Sequence, residues 1–220
     1  MSEPIERWQS FYQDRQRPVP FFRPVPDENL VDWVPAGSTA GGARALDIGC
    51  GNGRNALFLA RQGYEVLALD YSASAIAWAR ELTAEAAQGL TSGGLTLRQA
   101  DVFNTELPSA GFELVCDSGC FHHLLPAQRQ PYIDLIARVL RPGGLLSLVC
   151  FAPEGGSGLS DAQAQDSGST GGGLGYDEAL LRQLWSPAFD IQTLRRMHEL
   201  DASAPCFGKA FLWALRGLRR

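Results

Sequence analysis

In the stretch ALDIGCGNGRNALFLA, Asp47 closes an apolar run and is followed by Gly49, Gly51 and Gly53 at alternate positions. Glycine admits positive φ and close approach of a ligand to the backbone, and the start of a following helix offers unpaired amides. A nucleotide-like ligand on a strand-to-helix turn fits this spacing. A second acid, Asp70, ends LALD, where an open parallel sheet can present a carboxylate to both hydroxyls of a ribose. A third, Asp101 in QADVF, places its side chain or the Val102 amide where an adenine edge would lie. Three successive strand ends would then line one crevice.

The order Gly49-x-Gly51-x-Gly53 is not the G-x-G-x-x-G of dinucleotide sites, whose third glycine serves helix packing. Asp47 would also repel a pyrophosphate, whereas it suits the ammonium or sulfonium of a methionine-bearing nucleoside. Charge thus favours S-adenosylmethionine over a nicotinamide dinucleotide.

The elements that must position these residues alternate between strand and helix. Arg44 to Ile48 reads as a strand, Asn52 to Gln62 as a helix stopped by Gly63, and Glu65 to Asp70 as a second strand. Ser72 is the N-cap of an alanine-rich helix reaching about Gln88, and Leu95 to Gln99 is a third strand. Phe112 to Asp117 is a fourth strand, Pro126 opens a helix to about Leu140, Pro142-Gly143-Gly144 is a turn, and Leu145 to Phe151 is a fifth strand. Asp177 to Trp185 resumes as a helix, and Asp190 to Met197 and Ala210 to Arg216 as closing strands. The expected architecture is α/β, a three-layer sandwich around a doubly wound, mostly parallel sheet.

Residues 1–36 form an N-terminal extension in which Trp8, Phe11, Tyr12, Phe21 and Phe22 are interleaved with prolines. Trp8, Tyr12 and Phe22 either touch substrate or pack as ordinary core, since aromatics do both; Trp33 and Trp213 read as core. Residues 153–175 are dominated by glycine, serine, alanine and glutamine, the composition of a mobile loop that is either a lid or a solvated insert. One domain over 1–220 is expected, with its cofactor core at 44–151 and a C-terminal helix and strands at 176–220.

A formal net charge of −5 supplies no field for a polyanion, so nucleic acid and acidic membranes are not expected partners and a small molecule is. The apolar runs are strand-length, too short to span a bilayer, and no secretory leader is read at the N-terminus, so a cytoplasmic location is expected. The oligomeric state is left open. Five cysteines, mostly within apolar runs, read as reduced buried thiols.

ALDIGCGNGR, VLALDYS, QADVF, FELVCDSG and LRPGGLL stand in the order found in class I, Rossmann-like S-adenosylmethionine-dependent methyltransferases, and the chain resembles that family over roughly residues 44–151. The resemblance implies a seven-stranded sheet. It implies that Asp47, Gly49, Cys50, Gly51, Gly53 and Asn55 surround the methionine end, that Asp70 with Ser72 takes the ribose, and that Asp101, Val102 and Phe103 receive the adenine, with Tyr71 packed on its face. Asp117 and Ser118 would sit near the methyl group. Arg54 and Asn55 also admit a plainer role in helix capping and surface charge. GCGNGRNALFLARQGYEVLALD, MHEL and KAFLWALR are further similar to the tellurite-resistance branch, grouped with thiopurine and halide or thiol methyltransferases. DSGCFHHL departs from the tellurite pattern, so the acceptor does not carry over; a soft nucleophile such as a thiol, chalcogen oxyanion or halide is one expectation.

Methyl transfer is an in-line displacement at a carbon already activated by positive sulfur, so the protein mainly aligns the nucleophile and excludes water. A soft anion needs no more, whereas a neutral hydroxyl or amine calls for a general base. His122 and His123 follow the fourth strand and are the catalytic candidates, packing or helix capping being the alternative for either. Cys116, Cys120, His122 and His123 lack a CxxC pair and metal-ligand spacing, so no metal is expected. Two further classes remain beside the methyltransferase: a catalytically silent S-adenosylmethionine-binding domain and a nicotinamide-dependent oxidoreductase.

Overall fold

The computed structural model describes residues 5–34, 42–87 and 94–220. The strands are β1 (Arg44–Ile48), β2 (Glu65–Asp70), β3 (Gly94–Gln99), β4 (Phe112–Ser118), β5 (Leu140–Phe151), β6 (Phe189–Arg196) and β7 (Leu212–Arg219). The helices are α1 (Ile5–Gln13), α2 (Glu28–Trp33), α3 (Arg54–Arg61), α4 (Ala73–Ala87), α5 (Pro126–Val139), α6 (Asp161–Ser167) and α7 (Glu178–Trp185). The seven strands follow the order β3-β2-β1-β4-β5-β7-β6, with helices flanking the sheet. The β1–β2, β2–β3 and β4–β5 pairs are parallel, whereas β7 runs antiparallel to both β5 and β6, so the sheet is mixed. No helix among the described residues is long and apolar enough to cross a membrane. Two compact units are distinguished, residues 5–106 with 199–208 and residues 107–198 with 209–220.

In the first unit, β1 is buried from Ala45 to Ile48, as a parallel strand covered on both faces must be, which explains its unbroken apolar run. Gly53 adopts φ +80° and turns the chain into α3. The Ser72 hydroxyl accepts the Ala75 amide at 3.2 Å, the N-cap that starts α4. The expected end of α4 near Gln88 lies outside the described residues, as do positions 1–4 and 35–36 of the N-terminal extension. The rest of that extension is folded: α1, a 3-10 turn at Pro20–Phe22, and α2.

In the second unit, β5 is longer than expected and takes in Pro142-Gly143-Gly144. The register with β4 runs Phe112↔Leu140 and then jumps to Leu114↔Leu145, so the turn-forming residues are looped out as a bulge inside one strand. The 153–175 stretch also differs from a mobile loop. It carries a 3-10 turn at Pro153–Gly155 and α6, whose Ser160 cap accepts the Gln163 amide at 3.3 Å, and it buries Ala164, Thr170 and Leu174. Its glycines allow backbones to touch: a Cβ on Gly156 would stand 2.2 Å from the Gly175 nitrogen.

Candidate functional site

At the end of β1 in the first unit, Asp47 is buried, and Gly49, Gly51 and Gly53 take φ values of +66°, +54° and +80°. All three lie in the left-handed region, where glycine alone is unstrained. The Asp70 carboxylate accepts the Gly51 amide at 3.0 Å and the Ser72 amide at 2.9 Å. It is thereby tied to the turn, with a lone pair left on each oxygen for a hydroxyl donor. Burial raises the Asp70 pKa to about 6 against the pull of these two amides. Burial and the Asp70 and Asp47 carboxylates push the Cys50 thiol well up, so it stays protonated beside them. Two buried carboxylates around a glycine-rich turn fit a cationic nucleoside, and they do not fit a pyrophosphate.

Asp101 caps the 3-10 turn Val102–Asn104, accepting the Phe103 amide at 2.9 Å and the Asn104 side-chain amide at 2.7 Å. Its carboxylate therefore shapes the turn that carries Val102. Tyr71 is half-buried, and its carbonyl accepts the Gln99 side chain at 3.2 Å.

The glycine turn is covered by α1. Tyr12, Phe22 and Ala75 form a buried cluster, against which Trp8, Phe11, Val19, Phe21 and Trp78 pack. Phe22 and Trp78 meet edge to face at 4.7 Å, and Tyr12 and Phe22 stack at 5.7 Å. Of the aromatics expected at a substrate, Trp8, Tyr12 and Phe22 thus all belong to this cluster. The Gln9 side chain accepts the Ser74 amide at 3.0 Å, pinning α1 to the start of α4.

Arg54 and Asn55 are neither surface charge nor a simple cap. Arg54 forms an ion pair of 2.6 Å with Asp27, and both side chains are almost fully buried. Asn55 exchanges two hydrogen bonds with Asp27, accepting its amide at 3.0 Å and donating to its carboxylate at 2.9 Å. Asn55, expected at the cofactor, is committed at both ends of its side-chain amide to Asp27. The Arg54 guanidinium also donates to the Val25 carbonyl at 3.1 Å and lies over the Phe207 ring at 4.9 Å. Nothing in the local sequence around Asp27 marks it as the partner of residues so far along the chain.

In the second unit, Asp117 is the penultimate residue of β4, with its carboxylate turned into the loop that follows. It accepts the Cys120 amide at 2.7 Å, the Phe121 amide at 3.0 Å and the Tyr132 hydroxyl at 2.7 Å. Burial raises its pKa to about 7 in spite of these donors. Asp117, expected beside the methyl group, instead organises the turn that carries the histidines. Ser118 beside it is half-buried.

His122 and His123 occupy a 3-10 turn, Phe121–His123, with ring centroids 4.3 Å apart. His122 is buried, its imidazole stacked 3.7 Å from Phe151 at an interplanar angle of 18°. Its Nδ1 has no hydrogen-bond partner among the described residues. Burial first, and the charge of His123 second, hold the His122 pKa well below the ordinary histidine value, so the ring is neutral. His123 is half-buried, and Phe151 and Phe211 continue the aromatic surface with centroids 6.1 Å apart. Phe151 was not singled out in the sequence, although a large aromatic at the last position of a central strand is the signal that would have found it.

Comparison with known proteins agrees with this geometry. The family described as a methyltransferase domain matches residues 45–144. An uncharacterized methyltransferase of Schizosaccharomyces pombe is 30% identical over 107 residues, 49% of this chain and 70% of the relative. The 2-heptyl-1-hydroxyquinolin-4(1H)-one methyltransferase of Mycobacteroides abscessus is 31% identical over 126 residues, 57% of this chain and 53% of the relative. The chain spans about half the length of the Mycobacteroides abscessus relative and of an uncharacterized methyltransferase of Synechocystis, 53% of each. Among solved structures, one from work on conversion of a disulfide bond into a thioacetal group during echinomycin biosynthesis is similar with a TM-score of 0.71 and 23% identity, covering 98% of this chain and 92% of that one. The magnesium protoporphyrin IX methyltransferase of Synechocystis with bound S-adenosylhomocysteine gives a TM-score of 0.65 at 20% identity, covering 88% and 81%. These likenesses extend the fold over nearly the whole chain, and with the matched family they place it: the chain belongs to the class I, S-adenosylmethionine-dependent methyltransferases.

Proposed function

We propose that this chain transfers a methyl group from S-adenosylmethionine to a small, planar acceptor bearing a thiol or an acidic hydroxyl. The observation that carries the reading is the Asp70 carboxylate, held to the glycine turn by the Gly51 and Ser72 amides and ready to accept two more hydrogen bonds. Bound cofactor supplies a methyl carbon activated by positive sulfur. Asp70 would hold its ribose, Asp47 its ammonium, and the Val102 turn its adenine.

On the acceptor side, the partly exposed rings of Phe151 and Phe211, the first backed by the buried His122, supply uncharged aromatic surface. The face of an aromatic ring carries partial negative charge and attracts planar neutral molecules more than anions. This favours an aryl thiol or aromatic hydroxyl over an oxyanion or halide, and aligns the chain with the small-molecule branch in a general way. His123 would accept the acceptor's proton, because it is the partly exposed member of the pair and its neighbour is neutral. The relative that acts on a hydroxyquinolone is consistent with such an acceptor.

The test is to incubate the chain with S-adenosylmethionine and either 4-nitrothiophenol or 2-heptyl-1-hydroxyquinolin-4(1H)-one, measuring S-adenosylhomocysteine release. His123→Asn should slow the hydroxyl probe strongly and the pre-ionised thiol little. Cofactor binding without product from either probe overturns the acceptor assignment.

A further inference from the structure

Residues 153–175 return to the histidine pair at one point. Leu174 donates its amide to the His122 carbonyl at 2.7 Å, and Gly173, with φ +128°, lies against the His122 and Phe151 rings. A Cβ on Gly173 would stand 2.6 Å from Phe151 and 2.7 Å from His122 Cδ2, so this approach is open to glycine alone. On the opposite edge Gly119 performs a similar task, a Cβ there standing 3.3 Å from His122 Cε1. The imidazole is thus enclosed by one aromatic face and two glycines, one of them delivered by the segment.

Among the described residues two arginines hold the segment: the half-buried Arg196 pairs with Glu154 at 2.8 Å, and the buried Arg129 anchors α6. Arg129 of α5 grips Asp161, the first residue of α6, with both terminal nitrogens at 2.6 and 2.7 Å. Its Nε donates to the Tyr176 hydroxyl at 3.0 Å. The Ala127 amide, at the start of α5, adds a bond to the Gln165 side chain at 3.1 Å, and Ser157 closes the segment's neck on the Gly173 carbonyl at 2.8 Å. Arg129 is buried while Asp161 is more than half exposed, so Asp161 can be removed without emptying the core. A two-pronged guanidinium–carboxylate contact fixes direction as well as distance.

We infer that Asp161 and Arg129 are a positioning pair for the proposed reaction: they set Gly173 and Leu174 against His122 and so fix the imidazole pair at the end of β4. The inference rests on the reading that His123 takes the acceptor's proton. Neither member of the pair touches the acceptor; each acts through the segment. His123 is the titratable group that faces His122 from its own turn, and the contacts from β5 and from the segment are Phe151 and the Gly173 backbone.

The test needs no acceptor in its first arm. The chain has three histidines, so their ring resonances can be assigned by single substitution and followed through a pH titration. In the unsubstituted chain His122 should fail to titrate in the ordinary histidine range. In Asp161→Ala, and separately in Gly173→Ala, the His122 midpoint should rise toward the ordinary histidine range as its enclosure loosens, while Asp161→Glu restores the original behaviour. In the second arm, turnover of 2-heptyl-1-hydroxyquinolin-4(1H)-one by Asp161→Ala should fall about 10- to 100-fold in kcat with the dissociation constant of S-adenosylmethionine unchanged. An unaltered His122 titration in both substituted proteins overturns the inference even if turnover falls. Full turnover in His123→Asn would instead remove the base reading, and the titration would still report whether the segment seats His122.

Discussion

The phenol oxygen of Tyr12 stands where a side chain on Gly51 would have to go: a Cβ built on that glycine lies 2.6 Å from it. One helix of the N-terminal extension is thus fitted against the turn that marks the cofactor site. The glycine is required twice, by its φ of +54° and by this contact.

Gly51→Ala therefore introduces both a left-handed alanine, at a cost of about 1 kcal/mol, and a clash with Tyr12. Calorimetric titration should show S-adenosylmethionine binding weakened by at least about tenfold, the equivalent of about 1.4 kcal/mol. Adding Tyr12→Phe removes the clashing oxygen and should recover part of the loss. Equal affinity in Gly51→Ala and the parent chain would show that the turn is not where the cofactor lies.

The Asp70 carboxylate gives the cofactor site a pH dependence of known sign. Its pKa is raised to about 6, so it is ionised and able to accept hydroxyl donors above that value, and protonated below it. Affinity for S-adenosylmethionine should be flat from pH 7 to 8 and fall as pH drops through about 6. In Asp70→Asn the affinity should be lower throughout and the step near pH 6 should vanish. A step of undiminished size in the variant would assign the titration to another group.

For Asp117 the same direction of shift acts on stability. Its pKa is raised from 3.8 to about 7, so the folded chain binds this proton more tightly than the unfolded chain does. The contribution is fully present below the unfolded value and is lost as pH rises through about 7. The difference caps it at about 4 kcal/mol. The thermal midpoint should accordingly fall between pH 6 and pH 8, and it should fall less in Asp117→Asn, which has no proton to lose. A pH slope as steep in Asp117→Asn as in the parent would exclude this carboxyl as its source.

Why some of this was readable in advance follows from the range of the forces involved. The glycine triplet, the Ser72 cap and the acid at the end of LALD are local: each needs only its neighbours to dictate φ, a cap or a strand end. The alternation of apolar strands and helices likewise gives the sheet, because burial on both faces imposes it. Pro142-Gly143-Gly144 reads as a turn on the same local logic, yet the pairing of Phe112 with Leu140 extends β5 past it. The 153–175 stretch misleads for the opposite reason. Composition treats glycine as chain that buries nothing, whereas Gly156, Gly173 and Gly175 are there because backbone or ring passes too close for a Cβ. The direction of the Asp117 carboxylate depends on Tyr132, and that of Asn55 on Asp27; a one-dimensional pattern records residue type but not which way a side chain turns.

Arg54 and Asp27 test how firmly the N-terminal extension is fastened to the glycine-turn helix. Their 2.6 Å contact is almost fully out of water, and Asn55 satisfies the remaining carboxylate oxygen. Removing one member of such a pair leaves a charge with no solvent to receive it, which costs about 3–5 kcal/mol, whereas an exposed pair would contribute under about 1 kcal/mol. Arg54→Ala and Asp27→Ala should each lower stability by an amount in the higher range, measured by denaturant unfolding. The double variant should be less destabilised than the sum of the two, because the orphaned charge is gone. The Asn52 side chain, two residues before Arg54, donates to the Phe22 carbonyl at 3.0 Å, so loosening the pair should also loosen the aromatic cluster over Gly51. Tryptophan fluorescence from Trp8 and Trp78 should then shift to the red in Arg54→Ala under native conditions. Strict additivity of the two single variants, with unshifted fluorescence, would mean that the pair is incidental to the fastening.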